Sequence, residues 1–100
     1  MISLIPNEIH LLLSINRALL GEITPNIRGI TCAYNENKII IRCCFEGEIT
    51  EENEESMDCV EAEVIADFPG YAIDLQCITV NMYESLAQHR LSTWVYMRKE

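Results

Sequence analysis

The sequence predicts an α+β fold: one domain over residues 1–100, in the order helix–strand–strand–helix–strand–strand. The expected architecture is a four-stranded, mostly antiparallel sheet with two helices packed on one face. Three observations lead there. Apolar residues recur at helical spacing in two segments, short β-rich blocks fill most of the remainder, and Gly, Pro and Asn clusters separate them. One hundred residues, nearly half of them apolar, can bury roughly two-thirds of the unfolded surface, enough for one core.

The first helix is expected from Glu8 to Leu20, with Asn7 as N-cap after Pro6 and Gly21 as the left-handed residue that stops it. Ile9, Leu11, Leu12, Leu13, Ile15, Ala18, Leu19 and Leu20 leave only His10, Ser14 and Arg17 as a wet stripe. A helix this apolar needs cover on more than one side, from the sheet and from the second helix or a partner. Thr24-Pro25-Asn26 reads as a turn. Ile27 to Tyr34 is β-like, and Asn35-Glu36-Asn37-Lys38 forms a hairpin connection to Ile39–Phe45. That last run is continuously apolar, so both of its faces are expected to be at least partly covered.

The second helix starts after Thr50, whose hydroxyl can accept from the first-turn amides. Met57, Val60, Val64 and Phe68 lie three and four residues apart and share one face, and Pro69-Gly70 ends the helix. Tyr71 to Met82 alternates around Ile73, Leu75 and Cys77. Tyr83 to Ser92 is a loop or a short helical turn, and Thr93 to Arg98 is the last strand, forming a hairpin-like pair with the preceding one. Arg28 and Arg42 sit inside apolar strand patterns and need partners if half-buried; Glu61, at the edge of the helical seam, is the candidate counter-ion.

Charge is distributed unevenly. Residues 46–68 hold ten of the sixteen acidic residues and no Lys or Arg, whereas the rest of the chain has seven basic against six acidic. The net charge of −9 disfavours nucleic acid and anionic membrane as direct partners. Glu51, Glu52, Glu55 and Asp58 face away from the apolar seam, ahead of a smaller patch of Cys59, Ala62 and Ala66. Two readings stand: a solvated face, which most charge runs are, or a docking surface for a basic partner. Like charges without interspersed Lys forgo i,i+4 pairing and repel one another, a cost that a cationic partner would relieve.

The chemistry of an enzyme is not visible. His10 and His89 are far apart in sequence, none of the four glycines falls in a G-x-G pattern, and the acidic run is helical rather than looped like a calcium site. Five cysteines without metal spacing read as reduced, core or half-buried thiols. The N-terminus lacks a basic leader region and no stretch is long enough to span a membrane, so the expected location is the cytoplasm. No catalytic, cofactor-binding or metal-binding residue is expected.

Several blocks carry a resemblance. Ala18-Leu19-Leu20-Gly21, Pro25-Asn26-Ile27-Arg28, Phe45-Glu46-Gly47-Glu48-Ile49-Thr50-Glu51-Glu52, Val60-Glu61, Glu63-Val64-Ile65-Ala66-Asp67-Phe68 and Trp94-Val95-Tyr96-Met97-Arg98-Lys99-Glu100 together resemble the small immunity proteins of bacterial contact-dependent growth inhibition systems. Glu46 stands where that family pattern has Asp, and the loop after the third strand lacks the family's proline. The resemblance implies a stoichiometric inhibitor of a toxin domain, and many such toxins are nucleases; a monomer is expected over a homodimer. A nuclease cleft is basic, which makes an acidic helix complementary to it. The expected contacts are Glu51, Glu52, Glu55 and Asp58, flanked by Glu48 and Glu54. Tyr34, Tyr83, Trp94 and Tyr96 are the aromatics available to anchor such an interface, although most fit a core better. The alternative is a small cytosolic adaptor or self-associating subunit, joined through the first helix and the Cys59/Ala62/Ala66 patch.

Overall fold

A computed structural model describes residues 8–100; the Asn7 cap expected from the sequence lies outside the described residues. The elements are α1 (Glu8–Ala18), β1 (Ile27–Tyr34), β2 (Lys38–Phe45), α2 (Glu51–Asp67), β3 (Ala72–Thr79), a short 3₁₀ turn (Leu86–His89) and β4 (Thr93–Met97). Both helices lie on one side of a four-stranded sheet of order β3-β2-β1-β4.

Local signals account for the helices. Thr50 caps α2: its hydroxyl accepts from the Asn53 amide at 3.1 Å, and the Asn53 side chain accepts from the Thr50 amide at 3.0 Å. This is a reciprocal capping box. Met57, Val60 and Val64 of α2 are buried, as is Phe68 just beyond its end. α1 buries Leu11, Ser14, Ile15 and Ala18, and Gly21 takes φ +81° just past it. The sheet and α2 cover α1 on two sides, while Ile9, Leu13 and Leu20 stay exposed. The helices are tied by Asp67, which accepts from Ser14 Oγ at 2.6 Å and Arg17 Nη2 at 2.5 Å.

The sheet departs from the expectation in its connectivity. β1 pairs antiparallel with β2 and with β4, but β2 and β3 run parallel. The sheet is therefore mixed rather than mostly antiparallel, and β3 and β4 form its opposite edges instead of a hairpin-like pair. The reason is the helix between β2 and β3. A helix laid along the sheet carries the chain back to the end where β2 began, so the next strand enters in the same direction. The register puts Lys38 beside Ala72 and Phe45 beside Thr79.

Residues 80–92 must then cross from one edge to the other, and they do so over the face opposite the helices. Consecutive residues Cys43 and Cys44 report the two sides, as alternation along a strand requires. Cys43 packs in the main core with Ile39, Ile41, Phe45 and both helices, whereas Cys44 packs in a second cluster with Val80, Leu86, Ile78 and Trp94. The continuous apolar run of β2 is thus covered on both faces. Burial pushes the Cys32 thiol up to about 11 and raises those of Cys43 and Cys44, which keeps them protonated and unreactive. Cys59 differs from the expected core or half-buried thiol: it is exposed on α2.

Candidate protein-binding surface

The two strand arginines fasten the crossing segment. Arg28 is only 4% exposed and sits at the bulge in the β1–β2 register. Its Nη1 faces the carbonyls of Val80, Asn81 and Glu84 at 3.4, 3.0 and 3.2 Å, while Nε and Nη2 grip the Glu100 carboxylate. Arg42 donates to Gln76 Oε1 at 3.0 Å and to the His89 carbonyl at 2.9 Å. Glu61 is not the counter-ion of either. It accepts from the Leu75 amide at 3.3 Å, because α2 lies alongside β3, whose edge amides would otherwise be bare. Hydrogen bonds from Arg28, and then from Arg98, outweigh burial and hold the Glu100 carboxyl down at about 2.

This topology collects five segments at one end of the sheet. The start of β1, the ends of β2, β3 and β4, and the N-terminus of α2 all meet there. Arg98 joins them, donating to Pro25 O at 2.8 Å, Glu46 Oε1 at 2.7 Å, Glu100 Oε2 at 2.9 Å and Met82 Sδ at 3.3 Å. Asn53 adds contacts to Thr24 and Asn26, and Thr79 Oγ1 donates to the Gly47 carbonyl at 3.1 Å. The loops at this end are consequently cross-linked to one another.

Glu48, Glu51, Glu52, Glu54, Glu55 and Asp58 are all exposed. Among the described residues none of the six makes an ion pair; the carboxylates that do are Glu46, Asp67, Glu84 and Glu100. Glu48 leads into the helix, and Glu51 and Glu55 follow one another along its outer side by their i, i+4 spacing. Glu54 and Asp58 turn toward the sheet edge. With Glu61, Met57, Leu75 and Cys77 they line a groove of about 250 Å³ between α2 and β3.

The same end carries an apolar feature that the charge pattern did not flag. Met82, Tyr83 and Met97 are exposed, and Tyr83 is 98% exposed. Tyr34 is partly exposed, whereas Trp94 and Tyr96 pack against the two cores. The available signal was an apolar Met-Tyr pair inside an otherwise polar turn. The histidines lie on opposite sides of the sheet: the His10 ring is 4.8 Å from that of Phe68 on the helix side, while His89 Nε2 is 3.5 Å from Glu84 in the crossing segment.

The MafI2 immunity protein family model matches residues 8–100, which is every described residue. The chain belongs to the MafI2 immunity protein family. No curated protein matches it. Membership in this family points to toxin immunity and implies a cognate toxin as partner, and proteins of this kind are typically non-enzymatic inhibitors. Among the described residues no helix of this immunity protein is long and apolar enough to cross a membrane.

Proposed function

We propose that this immunity protein neutralises the toxin domain of a contact-dependent growth inhibition system by one-to-one binding, and that the toxin is a nuclease with a basic cleft. The reading rests on one observation: six exposed carboxylates without an ion pair among the described residues, gathered on the first turns of α2 and the loop before it. A phosphate-binding cleft is positively charged, so this surface would steer the encounter and remain in register with it. Glu48, Glu51, Glu52, Glu54, Glu55 and Asp58 are the proposed contacts, and the cytoplasm is the proposed place of action.

The test is co-purification with a tagged toxin domain encoded by the adjacent reading frame, followed by co-expression. A salt-sensitive one-to-one complex and rescue of growth support the proposal. A wild-type protein that neither binds nor protects defeats it.

A second reading has its own observation. Ile9 and Leu13 are exposed along α1 and Leu20 in the turn just after it, and Cys59, Ala62, Ile65 and Ala66 are exposed on α2. These would suit a self-associating subunit. Sedimentation separates the two: a stable homodimer in the absence of toxin favours self-association, and a monomer favours the inhibitor.

A further inference from the structure

We infer that Tyr83 is the aromatic anchor of the toxin interface, entering an apolar recess on the cationic partner while Glu48 and the first carboxylates of α2, carried by the adjoining loop, meet the same partner at one side of the ring. The inference rests on the immunity reading above and adds the residue that would hold the complex together.

Charge complementarity accelerates association and selects orientation, but long residence comes from a few desolvated side chains near the centre of an interface. Tyr is among the residues most enriched in that role, because it brings a large amphipathic ring with only two torsions to immobilise. Tyr83 is 98% exposed, so its whole ring remains available for burial. Met82 and Met97 are exposed as well, and Arg98 contacts the Met82 sulfur at 3.3 Å. Flexible, polarisable thioethers can adapt to a partner surface around a rigid ring.

The backbone beneath the ring is already held. Arg28 gathers the carbonyls of Val80, Asn81 and Glu84 from below. The Tyr83 amide donates to Asn81 Oδ1 at 2.9 Å, the Glu84 amide to the Asn81 carbonyl at 2.8 Å, and the Asn81 amide to Glu84 Oε1 at 3.2 Å. Val80, which precedes this turn, is fully buried and donates its amide to Phe45 O at 2.8 Å. A buried cation and a set of local bonds therefore fix a turn whose most exposed side chain is an aromatic ring. A partner that buries the ring need not also order the loop, and this preorganisation favours affinity.

The surroundings select the partner's charge. Thr79 binds the Gly47 carbonyl, and Arg98 links Met82 to Glu46, so the turn adjoins the loop that carries Glu48 and leads into Glu51 and Glu52. One cationic surface with an apolar recess can therefore meet both the ring and the carboxylates.

The experiment measures binding kinetics between the full chain and the toxin domain of the adjacent reading frame, inactivated by mutation, using wild type, Tyr83→Ala and Tyr83→Phe. Tyr83→Ala is expected to raise Kd by roughly 30-fold or more, mainly through faster dissociation, with association changed by less than about threefold. Tyr83→Phe should stay close to wild type. The thermal midpoints of both variants should match wild type, because the ring makes little contact with its own fold. If wild type binds and Tyr83→Ala stays within about threefold of it, the anchor is refuted while the immunity reading stands. If wild type neither binds the domain nor rescues growth on co-expression, the immunity reading fails and the anchor with it.

Discussion

Arg28 and Glu100, 72 residues apart, meet in a two-pronged ion pair, Nε to Oε2 at 2.7 Å and Nη2 to Oε1 at 2.9 Å. The guanidinium uses its remaining nitrogen on the carbonyls of the crossing segment. One buried side chain thus joins β1, the β3–β4 connection and the end of the chain. Arg28→Ala would remove the donor that three carbonyls share and leave the Glu100 carboxylate with Arg98 alone. The expected cost is about 3 kcal/mol, read as a lower urea midpoint with an unchanged slope. Arg28→Lys should recover less than half of that loss, since an ammonium cannot reproduce the fork.

The same pair sets an acid limit on stability. Glu100 has an ordinary carboxyl value of 4.5 when unfolded and about 2 in the fold, chiefly because Arg28 donates to it. A depressed native value means that the stabilisation is complete above about 4.5 and disappears as pH falls through that window towards 2. Asp67 acts in the same direction, held low first by the Ser14 hydroxyl and then by Arg17. Glu100→Gln should therefore be less stable than wild type at pH 6, and most of that gap should be gone by pH 2.5. Urea titrations of both proteins at the two pH values check this; a gap that stays constant with pH would contradict it.

What was legible beforehand follows the range of the interactions. Thr50 and the Met57, Val60, Val64 and Phe68 seam are encoded within a few residues of one another, and the structure bears them out. The pairing of β3 with β2 depends on how α2 lies across the sheet, which no local spacing contains. Proximity in the chain favoured a hairpin-like partner for β4, and the parallel pairing that a strand–helix–strand order over residues 38–79 permits was not read from it. Arg28 and Arg42 were correctly flagged as needing partners, but the partners lie on a segment whose path depends on that same strand order. Asp58, expected to face away from the seam, lines the groove beside it, but Glu51, Glu52 and Glu55 were readable as exposed because they oppose it. Tyr83 was not, because an aromatic in a loop has no periodicity to reveal its exposure.

Gly29 shows how tightly the second core is closed. A Cβ built there would lie 2.9 Å from Leu86 Cδ2, 2.9 Å from Trp94 Cζ3 and 3.3 Å from Tyr96 O. The leucine methyl can move, but the indole and the strand carbonyl have little freedom. Gly29→Ala should therefore destabilise by about 1–2 kcal/mol despite the entropy it removes from the unfolded chain. Thermal unfolding gives the test. Adding Leu86→Ala should make the pair of substitutions less damaging than their sum, since the two sites share one space.

The acidic face should control the rate of encounter more than the lifetime of the complex. Reversing Glu51 and Glu55 to Lys changes the local charge by four without touching the buried seam. Association with the toxin domain is expected to slow by about tenfold at low salt, and the difference should shrink as salt shortens the screening length. Stopped-flow mixing across a salt series reads both effects. An association rate insensitive to the reversal would assign these side chains to solvation alone.

Asn53 links the helix start to the loop before β1, and its loss should affect both. The residue is 4% exposed. Its Oδ1 accepts from the Thr50 amide at 3.0 Å and from Asn26 Nδ2 at 2.8 Å, and its Nδ2 donates to Thr24 Oγ1 at 3.2 Å. Thr50→Ala removes only the hydroxyl half of the capping box and should cost about 1 kcal/mol. Asn53→Ala also takes the acceptor from Asn26 Nδ2 and the donor from Thr24 Oγ1 in a partly buried place, though Thr24 and Asn26 keep the bond between them, so about 2 kcal/mol is expected. Asn53→Asp keeps the acceptor for the Thr50 amide and adds a charge the helix N-terminus favours, but it removes the donor to Thr24. It should fall between wild type and Asn53→Ala. Hydrogen exchange should show faster opening of the Thr50 and Ile27 amides in Asn53→Ala, with the amides of β2 slowed or hastened only as far as global stability changes. Uniform acceleration across the sheet would mean that Asn53 acts through the whole fold rather than through this junction.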